Sequence, residues 1–275
     1  MRRIVFPILV VVALLISCAT TGPGGKQSLI IIPTSQEVSI GEGMAQQVEE
    51  QEKVLPDSAW QSYITEIGTR IVAVCDRKDI DYHFTVIESD VVNAFAAPGG
   101  YVYFYTGLLR SMDNEAELAA VMAHEISHVV ARHGIKRLQA SLGVALAYEL
   151  VFGKKQSEVL ATAVNVGMGL AFADYSRDNE READNFGIYY MVKAGYDPQG
   201  AIGMFEQLAK LGDAGSSNIF EKLARSHPET QERIQNARDE IKQMQPLPSG
   251  LVLNQDRYQQ MVKRLPAPKE TADGK

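Results

Sequence analysis

The sequence predicts an α+β fold, mainly helical, with a small antiparallel sheet beside one long buried helix. Three observations predict it. Apolar residues recur at helical spacing through Trp60, Tyr63, Ile64, Ile67, Ile71 and Val74. Tyr82 to Ile87 and Val102 to Thr106 are short runs rich in β-branched and aromatic side chains, with Pro98-Gly99-Gly100 ahead of the second as turn punctuation. Ala119 to Val130 is apolar on nearly every side of a helix, which implies burial. The chain has 275 residues, 45% of them hydrophobic and 22% charged, enough for one ample core. Its net charge is -7 with no extended basic run, so nothing favours nucleic acid as a partner.

Residues 1–18 stand apart. Arg2 and Arg3 precede the short apolar stretch Ile4 to Ile16, a secretory signal too short for the roughly 20 residues of a spanning helix. Its end, Leu15-Ile16-Ser17-Cys18, resembles the lipobox of bacterial lipoproteins, in which Cys18 is acylated and anchors the chain to a membrane; the alternative is an ordinary signal peptide ending near a Cys. Ala19 is not an acidic retention signal, which favours an outer-membrane anchor facing the periplasm. Cys75 is then the only remaining thiol, excluding an internal disulfide and reading as a small buried hydrophobe. Residues 19–36, with Gly22, Pro23, Gly24, Gly25 and Pro33, predict a tether, with room for a short strand at Leu29 to Ile32.

The main domain spans 37–245. It opens with helices near 39–53 and 58–74, followed by the two strand runs. Asn93 to Ala97, small-sided after its first residue, fits a sheet edge open to another chain, or one covered by its own loop. Asp113 or Asn114 caps a helix running to about His133, with Glu115 and Glu117 in its first turn where the helix dipole favours negative charge. Residues 138–173 are strongly apolar, but the polar stretch Gly153 to Glu158 divides them into two core or lid helices, each shorter than a membrane span. Further helices are expected from near Ser176 to Lys193, ending at Gly195, and over 198–211 and 229–243. Residues 246–275, with four prolines and a polar end, read as a loosely ordered tail.

His124-Glu125-Ile126-Ser127-His128 places two imidazoles four residues apart, on one face of a helix, where they can share a cation. Glu125 sits about 100° round from the first ligand, within reach of an attacking water without binding the metal itself. Buried without a metal, these groups would each carry a desolvation cost of some kcal/mol. A catalytic zinc takes three protein ligands and keeps one position open. A histidine six residues beyond His128 is one known third ligand, but Gly134 stands there and His133 is one place out of register. The alternative is a carboxylate on a second helix. In Asn179 to Asp184, Glu180 and Asp184 share a face and Glu182 points nearly the opposite way, so Glu180 is expected on the metal and Asp184 on the outer N–H of a ligating histidine. His133 with Arg132 or Arg137 could pair with the acidic helix, but such residues more often lie at the surface and are left out of the site; His83 reads as structural.

HEISHVVARH, followed some fifty residues later by NEREADNFG, resembles the M48 family of peptidases with its HExxH and ExxAD helices, and specifically its secreted bacterial lipoprotein branch. NAFAAPGGYVYFYTGLL and Ser226 to Ile234, similar to the family's HPxxxxRI segment, extend the likeness from roughly 93 to 233. The resemblance implies a zincin-like fold and one Zn2+ per chain. It implies polypeptide substrates laid along Asn93, Ala94, Phe95 and Ala96, with His227 or Arg233 stabilising the oxyanion or touching substrate. His227 could instead cap the metal in a resting form, or simply begin a helix before Pro228. The expected function is a zinc endopeptidase acting on extended or unfolded envelope proteins, with Glu125 as general base. The alternatives are a latent metalloprotein serving outer-membrane assembly as chaperone or adaptor, and a hydrolase of non-peptide amides. Glu125 favours an enzyme, because a pure binder needs no base.

Overall fold

The structure, a computed structural model, describes residues 18–20, 27–213 and 230–268. The signal segment before Cys18, and His227, lie outside the described residues. At the N-terminal end β1 (Cys18–Thr20) pairs antiparallel with β2 (Gln27–Leu29). The expected tether ends sooner than residue 36, because Ile30 and Ile32 are buried and α1 (Thr34–Gln51) has begun. Two β-branched side chains with a core to enter are not left in solvent.

Next come α2 (Ser58–Val72), β3 (His83–Ile87), β4 (Ala94–Ala97) and β5 (Tyr101–Tyr105). Asp57 caps α2, its carboxylate accepting from the amides of Ala59 and Trp60. The three strands form one sheet in the order β3-β5-β4. It is mixed, correcting the expectation of an antiparallel sheet: β4 and β5 are antiparallel across the Pro98–Gly100 turn, but β3 runs parallel to β5. Residues 88–93 carry the chain past β5 to the far edge, so β5 is central and β4 is an edge strand. Alternation along a strand reports which face is buried and says nothing of direction.

A short α3 (Thr106–Ser111) leads to α4 (Glu115–Val130), of which all sixteen residues are buried. Asn114 accepts from the Glu117 amide at 3.1 Å, and the Glu117 side chain reaches back to the Asp113 amide at 2.8 Å, a reciprocal cap. α4 ends at Val130, short of the expected His133, because Arg132 adopts a left-handed φ of 55°. The chain then re-enters a helix as α5 (His133–Phe152), kinked at Gly143, where φ is 73°, and returns through α6 (Gln156–Ala171). The hairpin of α5 and α6 packs with α1, Ile30 and Ile32 in a second apolar cluster. Among the described residues no helix is long and apolar enough to cross a membrane.

α7 (Arg177–Lys193), capped by Ser176, crosses α4 closely, and α8 (Gln199–Asp213) and α9 (Thr230–Gln243) complete that side. The crossing is tight at Gly187, where a Cβ would lie 3.1 Å from the His124 amide nitrogen. Residues 247–268 correct the expectation of a loose tail over their length; 269–275 lie outside the described residues. They carry α10 (Gln255–Val262), with Tyr258 fully buried and donating to the Leu109 carbonyl at 2.6 Å. Asn254, Tyr63 and Tyr196 all donate to Glu115 in the first turn of α4, so this segment helps fix the start of the central helix.

Candidate metal centre

His124 and His128 project one turn apart from α4, and Glu180 meets them from the first turn of α7. Their ligand atoms all lie within 4.8 Å of one another, and the three residues are buried. The two Nε2 atoms are 3.0 Å apart, His128 Nε2 is 3.4 Å from Glu180 Oε1, and His124 Nε2 is 3.6 Å from Glu180 Oε2. Bonds of about 2.0–2.1 Å to a tetrahedral zinc imply ligand–ligand separations of about 3.3 Å, so the donor set fits such an ion. The chemistry agrees as well as the size. Two imidazoles and a carboxylate converge in a buried space, and a cation resolves the desolvation they share.

The outer nitrogens are supported differently. His124 Nδ1 donates to Asp184 Oδ1 at 2.9 Å, as the shared face of Glu180 and Asp184 predicts. Asp184 also accepts two bonds from Arg233, from Nε at 2.8 Å and Nη2 at 2.7 Å. Burial alone would raise the Asp184 carboxyl, but the charge and hydrogen bonds of Arg233, helped by His124, hold it at about 2. Burial likewise opposes the charge on Arg233, and Asp184 and Glu180 more than offset it, so its pKa lies above the ordinary arginine value. Arg233 Nη1 lies 3.5 Å from Glu180 Oε2, and the guanidinium stacks on Phe205. The structure therefore brings Arg233 against the residues that hold the metal ligands.

His128 Nδ1 faces His133 Nδ1 at 2.9 Å, and His133 Nε2 lies 3.0 Å from Glu182 Oε2. This corrects the preference for His133 as a surface residue: it is fully buried and meets the acidic helix, the other reading of it. Glu182 does point away from the Glu180 face, and that direction carries it to α5. Burial, the largest influence, holds His128 well below the ordinary histidine value despite the Glu180 carboxylate, which keeps the ring in its metal-binding neutral form. Arg132 is buried too, its Nη2 at 2.7 Å from Glu37 Oε2, while Arg77 grips the same carboxylate at 2.9 and 2.8 Å. Arg137 lies over the ring of Tyr175, which itself stacks on His128 with centroids 4.1 Å apart. The sequence places neither Glu182 nor Tyr175 at the centre, and it sets His133 and Arg132 aside as surface residues. A lone Tyr before a helix gives no signal, and Gly134 after His133 does not tell that the backbone turns at Arg132.

Glu125 is buried beside the first ligand. On β4, the Ala94, Phe95 and Ala97 side chains are buried, with Phe95 stacked on Tyr103, and Asn93 is buried at the strand's start. Ala96 and Ala97 share a small cleft with His128 and Tyr175, which places the sheet edge beside the centre.

Fold and centre together have the arrangement of HExxH metallopeptidases. The profile of peptidase family M48 matches residues 58–241, and the chain belongs to that family. It is 31% identical over 221 residues to the beta-barrel assembly-enhancing protease of Escherichia coli, covering 77% of this chain and 45% of that one. It is 33% identical over 162 residues to the metalloprotease YcaL of Escherichia coli, covering 58% and 62%. The mitochondrial metalloendopeptidase OMA1 of Schizosaccharomyces pombe is 32% identical over 186 residues, covering 66% and 53%. The chain spans about half the length of the curated relatives it matches.

Proposed function

We propose that the protein is a zinc-dependent endopeptidase that cleaves extended or unfolded polypeptides of the bacterial cell envelope. The observation that carries the reading is the convergence of His124 Nε2, His128 Nε2 and the Glu180 carboxylate at tetrahedral spacing, with Glu125 next to the first ligand. When bound there, one zinc ion supplies Lewis acidity toward water and the peptide carbonyl. Glu125 takes the proton of the attacking water and delivers it to the leaving amine. Asp184 fixes the ring of His124, and Arg233 holds Asp184 and Glu180 in place, so Arg233 acts as a positioning residue. His227 keeps only the roles the resemblance implies, oxyanion contact or resting cap.

Substrate is held along Asn93, Ala94, Phe95 and Ala96. The side chains of Ala94 and Phe95 are already committed to the core, which leaves the main chain of the edge strand to pair with a peptide. Main-chain pairing predicts weak sequence preference and a requirement for extended substrate. Cys18 is the proposed lipid anchor, holding the domain at the outer membrane, facing the periplasm. These assignments are tested together by digestion of reduced casein. Wild type should degrade it, and Glu125→Gln should not while keeping its zinc. Equal degradation by both would remove Glu125 from the mechanism.

A further inference from the structure

We infer that Glu182 and His133 form a relay that fixes the ring of His128 and selects which of its nitrogens faces the metal. The inference rests on the zinc reading of the centre. Glu182, an acceptor when ionised, lies 3.0 Å from His133 Nε2. That contact places the hydrogen of His133 on Nε2 and leaves its Nδ1 with a lone pair. His133 Nδ1 is 2.9 Å from His128 Nδ1, so His128 supplies the hydrogen there. A neutral His128 carrying its hydrogen on Nδ1 presents the Nε2 lone pair inward, where Nε2 of His124 and the Glu180 carboxylate converge. Each hydrogen position follows from the one before it.

The relay mirrors the support of the other ligand. His124 leans on Asp184 and Arg233, and His128 on His133 and Glu182, so each ligating ring has its outer nitrogen held through two further side chains. The fold builds the second arm deliberately. His133 is five residues from His128 and would lie on another face of a continuous helix. The left-handed backbone of Arg132 breaks the helix between them and swings His133 back. That conformation is strained for a residue with a Cβ. It is held by Glu37, at 2.7 Å from Arg132, and by the Ile32 carbonyl, at 3.0 Å. Glu182, two residues past the ligand Glu180, joins α7 to α5 through the same relay.

The test compares zinc affinity, by competition with a chelator, in wild type, His133→Phe, His133→Asn, Glu182→Gln and the double variant His133→Phe with Glu182→Gln. Zinc-free thermal unfolding of each variant checks that it folds. His133→Phe should weaken zinc by about 10- to 100-fold. His133→Asn, which restores an acceptor near the Nδ1 position, should recover part of the loss. Glu182→Gln should weaken zinc alone but add nothing to His133→Phe, because the two act through one path. Long-range 15N–1H spectra of zinc-free wild type should show His128 with its hydrogen on Nδ1, and a mixture of tautomers in His133→Phe. Wild-type affinity in a folded His133→Phe, or a Glu182→Gln loss undiminished in the double variant, overturns the relay. If His133→Phe does not fold, His133→Asn and Glu182→Gln decide by the same affinities and spectra. Failure of wild type to take up zinc overturns the zinc reading and the relay together; uptake abolished by His128→Ala but untouched by every relay variant overturns the relay alone.

Discussion

Glu125→Gln keeps the size and burial of the proposed general base and removes its ability to take a proton. The expected result is a fall in peptidase kcat of about 10²- to 10⁴-fold with zinc content unchanged, measured on a quenched extended peptide. Asp184→Asn makes a different kind of loss. It removes the charge facing His124 and leaves the Arg233 guanidinium buried with only half its partners. Zinc affinity should fall about 10- to 100-fold, and stability in urea by on the order of 3 kcal/mol. At this scale the grouping of His124, His128, Glu180 and Asp184 was legible in the sequence because the two residues on each helix stand four apart, one helical turn. The contact of His133 with Glu182 was legible only as an alternative to a surface position, because it depends on the backbone of Arg132. A left-handed arginine has no signature in composition or periodicity.

Between elements, the centre depends on how closely α7 lies against α4. Gly187 permits that approach, and a larger side chain there must push the helices apart at His124. Gly187→Val should therefore destabilise the fold by about 1–3 kcal/mol, and weaken zinc more than an equally destabilising substitution remote from α7, as paired urea melts and chelator titrations will show. The capping of α4 carries a pH signature. Burial is the main reason the Glu117 carboxyl is raised to about 6 from its usual 4.5. Between these values the folded protein holds a proton that the unfolded chain has released, so stability should fall as pH rises through that window and level off above it. Glu117→Gln should abolish this component, about 2 kcal/mol between pH 4.5 and 7, in urea unfolding at the two pH values. Helix positions were well predicted, since α2, α4 and α7 carry long apolar stripes or clear caps. The direction of β3 was not, because parallel and antiparallel pairing place the same residues on the same face.

Over the whole molecule, residues 247–268 are part of the fold. Tyr258 is enclosed beside Trp60, their rings in edge contact at 6.3 Å, and Asn254 binds the start of α4. Tyr258→Ala should lower stability by about 3–5 kcal/mol in thermal or urea unfolding, the range for removing a buried aromatic ring. Prolines and polar residues hid this in the sequence, because one buried Tyr on an eight-residue helix leaves too short a stripe to read as periodicity. The large-scale organisation has one purpose at the centre: it brings α4 and α7 together so that two imidazoles and one carboxylate meet beside an edge strand. Native mass spectrometry of the purified chain, dialysed against limiting zinc, measures this most directly. One zinc per chain, lost in His128→Ala and in Glu180→Ala, is the predicted result. Zinc retained at full stoichiometry in Glu180→Ala, or absent from the wild type, would contradict it.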